Sequence, residues 1–187
     1  MKSLRIESLS TINWEAFETL FGKRGACGGC WCMYFRRKNI EWKESAADKN
    51  YSEMKALVEN GFMTGFLAFD GEKAVGWCAI SPRKDYIKLA TAKTLKPIDN
   101  NEVWSIPCFF IHKDYRGMGV TQLLIEGSIT WARENGINIL EAYPLRPEKK
   151  QPDTFMYYGI VSVFKRCGFQ VVREDSPRRP MMRYYLL

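Results

Sequence analysis

The apolar positions of this chain fall into two periodicities, and their order along the sequence predicts the elements. Thr64 to Phe69 and Ala74 to Ile80 are short β-type runs flanking Asp70-Gly71-Glu72-Lys73, a hairpin turn signature. Glu102 to Ile111 is a longer, mostly apolar run that reads as a central strand. Val120, Leu123, Leu124, Gly127 and Trp131 follow at helical spacing, and Asn135-Gly136 stops that helix. Upstream, Lys2 to Ser8 reads as a first strand. Ile12, Ala16, Phe17 and Leu20 then mark a helix with Thr11 as N-cap, Glu15 in the first turn and Gly22 closing it. Ala47, Tyr51, Met54, Leu57 and Val58 predict a second helix over 44–60. Arg83 to Asn101 is polar, with a short helix around Tyr86 to Ala92. Downstream come a strand over 137–143, ended by Pro144, and a polar loop over 145–154. A helix over 155–167, stopped by Gly168, and strands over 169–173 and 182–187 complete the chain. Helices interleaved with strands, without repeat or linker, predict one mixed α/β domain over 1–187.

Composition changes this picture little. The chain has 187 residues, with 46% hydrophobic and 26% charged positions, which is ordinary for a folded domain and excludes a disordered one. No run of about 18 apolar residues occurs, so no membrane span is expected. Met1-Lys2-Ser3-Leu4-Arg5 lacks the apolar core of a signal peptide, and a cytoplasmic location is expected. The net charge of +7 suits an anionic ligand, although a solvated surface with excess Lys and Arg accounts for it equally. The basic clusters are short (Lys23-Arg24, Arg36-Arg37-Lys38, Lys149-Lys150, Arg178-Arg179), and no nucleic-acid motif accompanies them.

The candidate chemistry lies between the central strand and its helix. Arg116-Gly117-Met118-Gly119-Val120-Thr121 puts two glycines and an arginine where a helix N-terminus presents unpaired N–H groups. Glycine admits close approach to the backbone, and arginine adds charge-assisted hydrogen bonds. Such a turn suits a diphosphate, or else serves as a tight connector. The spacing excludes the P-loop, and a third glycine of the dinucleotide fingerprint is missing at Gln122.

Ile111 to Val120 resembles motif A of the GNAT N-acetyltransferase superfamily, whose signature is Arg/Gln-x-x-Gly-x-Gly/Ala. Arg116 and Gly119 match it, and Thr121 stands where Gly or Ala is usual. Phe164-Lys165-Arg166-Cys167-Gly168-Phe169 resembles the family's late Phe/Tyr-x-x-x-Gly-Phe segment, and the element order agrees. The resemblance implies a mostly antiparallel sheet flanked by helices, with a splayed central strand pair. It implies acetyl-CoA as cofactor, with N–H groups from Arg116 to Thr121 on the pyrophosphate. Phe109, Phe110 and Ile111 would lie along the pantetheine arm. Pro107, lacking an N–H, fits a strand interrupted at the splay. The implied reaction is direct acetyl transfer to an amine of a small molecule or peptide, with no nucleic-acid or membrane partner. A non-catalytic acyl-CoA-binding domain and a basic nucleic-acid-binding protein are the competing classes.

The resemblance also sets the catalytic expectations. A base for the amine is Glu102, the only carboxylate of the central strand, against a reading as a surface charge. Family members usually carry Tyr four residues before the Gly of Gly-Phe, and here that residue is Phe164. Transfer then proceeds without this acid or uses another group such as Tyr143. His112, the sole histidine, reads as a loop residue, and Cys108 as packing unless an acyl-enzyme forms. Thr121 either narrows the pyrophosphate cradle or donates its hydroxyl to it. Cys27, Cys30 and Cys32 read as loop cysteines rather than a zinc or redox site, since a structural zinc wants four ligands. By family position Trp31, Tyr34 and Arg36 would shape the acceptor pocket. The apolar last strand is compatible with a homodimer.

Overall fold

The computed structural model describes residues 4–38, 41–42, 46–147 and 156–186. Seven strands form one sheet: β1 (Arg5–Ser8), β2 (Gly65–Asp70), β3 (Lys73–Pro82), β4 (Trp104–Ile111), β5 (Ile139–Ala142), β6 (Gln170–Arg173) and β7 (Met181–Tyr185). Their order is β1-β2-β3-β4-β5-β7-β6, and every pairing is antiparallel except β4 with β5. The helices are α1 (Trp14–Phe21), α2 (Ala47–Glu59), α3 (Ile87–Thr91), α4 (Val120–Glu134) and α5 (Val161–Arg166).

Alternation along the hairpin strands sends side chains to both faces. Phe66, Cys78 and Ile80 pack with Phe109, Leu124 and Phe164 under α4 and α5. Leu67, Phe69 and Trp77 pack on the opposite face with Phe17, Phe21 and Met54 from α1 and α2. Each such fully buried large side chain contributes roughly 1.5–3 kcal/mol. A third cluster, around Phe35, Tyr86, Leu89, Tyr143 and Met181, closes the end of the sheet beyond β4.

Three expectations are corrected. Helix α1 begins at Trp14, not after Thr11, because Asn13 stitches the turn. Asn13 Oδ1 accepts from Ser10 N–H at 2.9 Å and its Nδ2 donates to Ser8 O at 3.0 Å, leaving Ile12 95% exposed. The buried face of α4 is Val120, Leu124, Ile125, Ser128, Ile129 and Ala132, rotated from the Leu123 and Trp131 line, because the helix is covered by the sheet across a wide stripe. The helix expected from residue 155 begins only at Val161. Gly159 holds φ 72 and Ile160 is extended, conformations that a right-handed helix excludes. The beginning of that expected helix, like residue 44, lies outside the described residues. β7 is paired on both sides within the chain, by β5 and β6.

Candidate active site

The two central strands separate where the sequence places its proline. β4 and β5 are in register only at Trp104–Leu140, Ser105–Glu141 and Ile106–Ala142. The next residue is Pro107, which has no N–H to offer a neighbour. β4 nevertheless runs on to Ile111, held from its other side by β3. Its outer edge borders a cleft of about 900 Å³ that Cys108, Phe109, Phe110 and Ile111 all line. Backbone N–H groups alternate in direction along a strand, so Phe109 N–H points into the same gap as residue 107. It donates there to the carbonyl of Tyr157 at 2.6 Å.

The glycine turn closes the other end of this cleft. Gly117 and Gly119 have φ 75 and 82, left-handed values that other residues adopt at a cost. A Cβ built on either would meet no protein atom within 4 Å, so the space over the turn is open. Gly119 caps α4 without a side-chain hydrogen bond, and the first-turn N–H groups lack intrahelical acceptors. Arg116 is held beside the turn by Nε donating to Ile111 O at 3.2 Å. Thr121, Gln122 and Arg166 of α5 border the same end. Tyr115 anchors the turn to the hairpin, its hydroxyl donating to Asp70 Oδ2 at 2.7 Å. The imidazole of His112 accepts from Asp114 N–H at 3.4 Å, capping the short turn Lys113–Tyr115. These features together offer convergent N–H donors, positive charge and room, which is what an anion with a long extended tail requires.

Between the two ends the lining is aromatic and sulfurous. Phe21, Tyr34, Phe35, Trp42, Trp77 and Tyr157 contribute rings. Cys27, Cys30, Cys32 and Cys108 contribute thiols, none in a disulfide. Among the described lining residues there is no Asp, Glu or His. The glycine loop that delivers Cys30 and Cys32 is anchored to α2, Asn50 Nδ2 donating to Gly29 O at 2.8 Å. Trp77 Nε1–H donates to Cys32 Sγ at 3.0 Å inside the protein. The thiol of Cys108 donates to Phe109 O at 3.8 Å; the nearby Cys108 thiol, then Trp77 and Arg36, hold Cys32 below its ordinary value against the opposing effect of burial. The nearby Cys32, with burial, pushes Cys108 well up. Burial raises Cys30 to about 11. Among the described residues no group of three or more metal-ligating side chains comes together.

Of the cofactor residues expected from sequence, all but Met118 line the cleft; Met118 points outward and is 60% exposed. Tyr34 lines the acceptor end, but Trp31 and Arg36 do not. Trp31 is buried and stacked on Phe21 at 5.7 Å. Arg36 turns away to Ser81 Oγ and to Asp85, 3.7 Å distant, with its guanidinium 4.9 Å over Tyr86. Glu102 is exposed ahead of β4. It lies six positions before Cys108, roughly 20 Å along an extended chain. Tyr143 is fully buried one layer below the cleft, its hydroxyl bonded to Glu141 at 2.6 Å, to Ser105 at 2.8 Å and to Arg83. Those partners lie toward the strand starts, so the hydroxyl faces away from Cys108. Burial is the main reason its proton is held well above the ordinary phenol range, and the neighbouring Glu141 charge adds to it. Phe164 is buried against Phe109 and Phe169, with ring centroids 5.9 and 5.0 Å apart. Cys32 and Trp77 were missed as a site because the partners come from a loop and a core strand 45 residues apart. The presence of a cysteine in both the loop and β4 was the available signal.

The comparisons agree with this geometry. The fold is similar to the PaiA N-acetyltransferase of Thermoplasma acidophilum in complex with coenzyme A, at 16% identity and TM-score 0.55, over 98% of this chain and 99% of that one. It is similar to NAA60 of Arabidopsis thaliana in complex with acetyl-CoA, at 12% identity and TM-score 0.54, over 98% and 100%. It is similar too to the GNAT domain of the S. lividans protein PAT, at 14% identity and TM-score 0.58, over 98% and 90%. Among curated proteins no sequence matches this chain. Among the described residues no helix is long and apolar enough to cross a membrane. The acetyltransferase (GNAT) family model matches residues 28–157, more than half of the chain and including β4, the glycine turn and α4, so the chain belongs to the GNAT acetyltransferase family.

Proposed function

We propose that this acetyltransferase uses acetyl-CoA to acetylate a primary amine of a small molecule or peptide. One observation carries the reading: a single cleft joins the open glycine turn at the N-terminus of α4 to the splayed edge of β4. The residues fit the donor. The turn offers N–H groups and open space for a pyrophosphate, with Arg116 and Arg166 adding positive charge. Phe109 and Ile111 lend the strand edge to an extended amide-bearing arm. Phe109 N–H is the donor best directed at a carbonyl in the gap, provided Tyr157 O yields it. Tyr34, Phe35, Trp42 and Tyr157 support an aromatic acceptor end, with no acidic group among its described lining residues. Bound acetyl-CoA supplies an activated acyl carbon and a thiol leaving group.

A non-catalytic acyl-CoA-binding role is favoured by two features, Phe164 at the usual tyrosine position and Glu102 far from Cys108. Two measurements separate the readings. Acetyl-CoA is expected to raise the melting temperature, and free thiol is expected to appear when an amine panel is added. Binding without thiol release from any amine would favour the non-catalytic role, and failure to bind any acyl-CoA would reject both.

A further inference from the structure

The charges behind the aromatic wall of the cleft bear on which amine it takes. Among the described lining residues there is no carboxylate, so a diamine or a lysine-rich peptide would find no counter-charge for its second ammonium. The charges that do stand behind the acceptor end are positive.

Lys88 of α3 is only 8% exposed. Its ammonium lies 3.2 Å from the ring centroid of Tyr34 and 5.2 Å from that of Trp42, and both rings line the cleft. Among the described residues this ammonium makes no ion pair and no hydrogen bond. Burial lowers it to about 8, with no neighbouring carboxylate to offset the effect, and it remains a cation at neutral pH. Arg179 is the second cation. Its guanidinium carbon lies 3.6 Å over the Tyr158 ring and 6.0 Å over that of Phe35. Nε donates to Tyr143 O at 3.2 Å, and one Nη is buried without a partner among the described residues. Tyr158 in turn accepts from the hydroxyl of Tyr157, a lining residue, at 2.8 Å. The carboxylates beside this cluster are already engaged, Asp85 by Arg36 and Glu141 by Arg83 and Arg183.

Buried charge is ordinarily paired, so a lysine left unpaired behind a cleft wall marks a place where a ligand supplies the partner. Resting on the acetyltransferase reading above, we propose that the acceptor is a primary amine that also carries an anionic group, a carboxylate or a phosphate, and that Lys88, supported by Arg179, binds that group. The flexible four-carbon stem of Lys88 lets its ammonium turn from the Tyr34 ring to the anion while α3 stays in place. Tyr34 adds a neutral O–H donor, its proton held above the ordinary value by burial first and by Tyr158 next. The CoA pyrophosphate does not compete for this pair, because the glycine turn has Arg116 and Arg166 at its own end. A packing role accounts for Lys88 less well, since an uncharged chain of the same length would fill the space without the cost of burying an ammonium.

The test measures thiol release from acetyl-CoA with amino carboxylates and aminoalkyl phosphates, against uncharged alkylamines and diamines of matched length. Anionic amines are expected to have kcat/KM about tenfold or more above their matched partners, the worth of one charge-assisted contact. Whichever anion leads identifies the group. Lys88→Met should abolish that preference through KM, keep the CoA-induced thermal shift, and leave the melting temperature unchanged or higher. Lys88→Arg should restore part of the preference. Equal or better turnover of diamines would overturn the assignment. So would a Lys88→Met chain that keeps the preference while melting lower, which would mark Lys88 as structural, or acetyl found on Lys88 itself by mass spectrometry, which would make it an acceptor. If no amine releases thiol, the acetyltransferase reading fails on its own. Calorimetry of the N-acetylated amino carboxylates and phosphates into CoA-saturated protein then decides the anion site: binding lost in Lys88→Met supports it, and no binding overturns it.

Discussion

The main-chain N–H of Phe109 donates to the carbonyl of Tyr157 at 2.6 Å, so the segment before α5 takes the strand edge that β5 gives up. A carbonyl at that donor competes with any ligand carbonyl that would use it. CoA thioesters are therefore expected to move residues 156–160 while leaving the β2–β3 hairpin, buried on both faces, unchanged. Hydrogen exchange by mass spectrometry with and without acetyl-CoA checks this. Equal exchange of that segment at saturating ligand would show that Tyr157 keeps its hold on Phe109.

Gly119 separates binding from folding. A Cβ there meets no protein atom, so Gly119→Ala costs the fold only the left-handed backbone penalty, about 1–2 kcal/mol. For a chain of this size that lowers the melting temperature by roughly 2–8 °C. The same methyl stands in the open space assigned to the pyrophosphate. CoA affinity should drop by about tenfold or more, the equivalent of one lost charge-assisted hydrogen bond, and calorimetry would read it. Unaltered affinity would argue that the turn is only a connector.

Glu141 is fully buried between Arg83 and Arg183, and Arg183 reaches on to Asp99 at 2.6 Å. This cluster joins β5 and β7 to the turn after β3 and to the loop before β4. Replacing one partner leaves buried charge unpaired, at a cost of about 3–5 kcal/mol. Glu141→Gln should accordingly lower the melting temperature by on the order of 10 °C, with CoA binding by the surviving folded fraction retained. The pH dependence has a definite sign. The hydrogen bond from Arg183 holds the Asp99 carboxyl below its ordinary value. Its contribution to stability is complete above the unfolded value of about 3.9 and is lost as pH falls through the lower folded value. Below about pH 4 the melting temperature of the native chain should therefore fall more steeply than that of Asp99→Asn.

Phe164 lies where its family usually has a tyrosine. Its ring is enclosed by Phe109 and Phe169, and Gly159 approaches it so closely that a Cβ there would stand 3.0 Å from Cε2. Phe164→Tyr adds a hydroxyl to this apolar enclosure. Turnover is expected not to rise, and stability to fall by about 1–3 kcal/mol if the hydroxyl finds no partner. Steady-state thiol release and thermal melting read the two effects. A strong gain in turnover would show that protonation of the leaving sulfur is limiting.

The sequence by itself determined the hairpin, the central strand, the glycine turn and the helix after it, because each is written in local periodicity and local backbone freedom. Gly117 and Gly119 stand in the left-handed region that only glycine takes easily, and Pro107 sits one residue past the last β4–β5 pair. Those are properties of single residues, readable without a fold. Local pattern misled where side-chain capping or a single backbone conformation overrode the apolar periodicity. Asn13 delayed α1 by tying back to Ser8 and Ser10, and Gly159 broke an apolar run that looked helical. Side-chain direction was decided by tertiary structure alone. Trp31, Tyr34 and Arg36 are near neighbours in sequence, yet one enters the core, one lines the cleft and one pairs with Asp85. Tyr143 was drawn to Glu141, since a buried carboxylate between two arginines leaves a lone pair to satisfy. The meeting of Cys32 and Trp77 depends on a strained loop packed against β3, and no spacing along the chain records it.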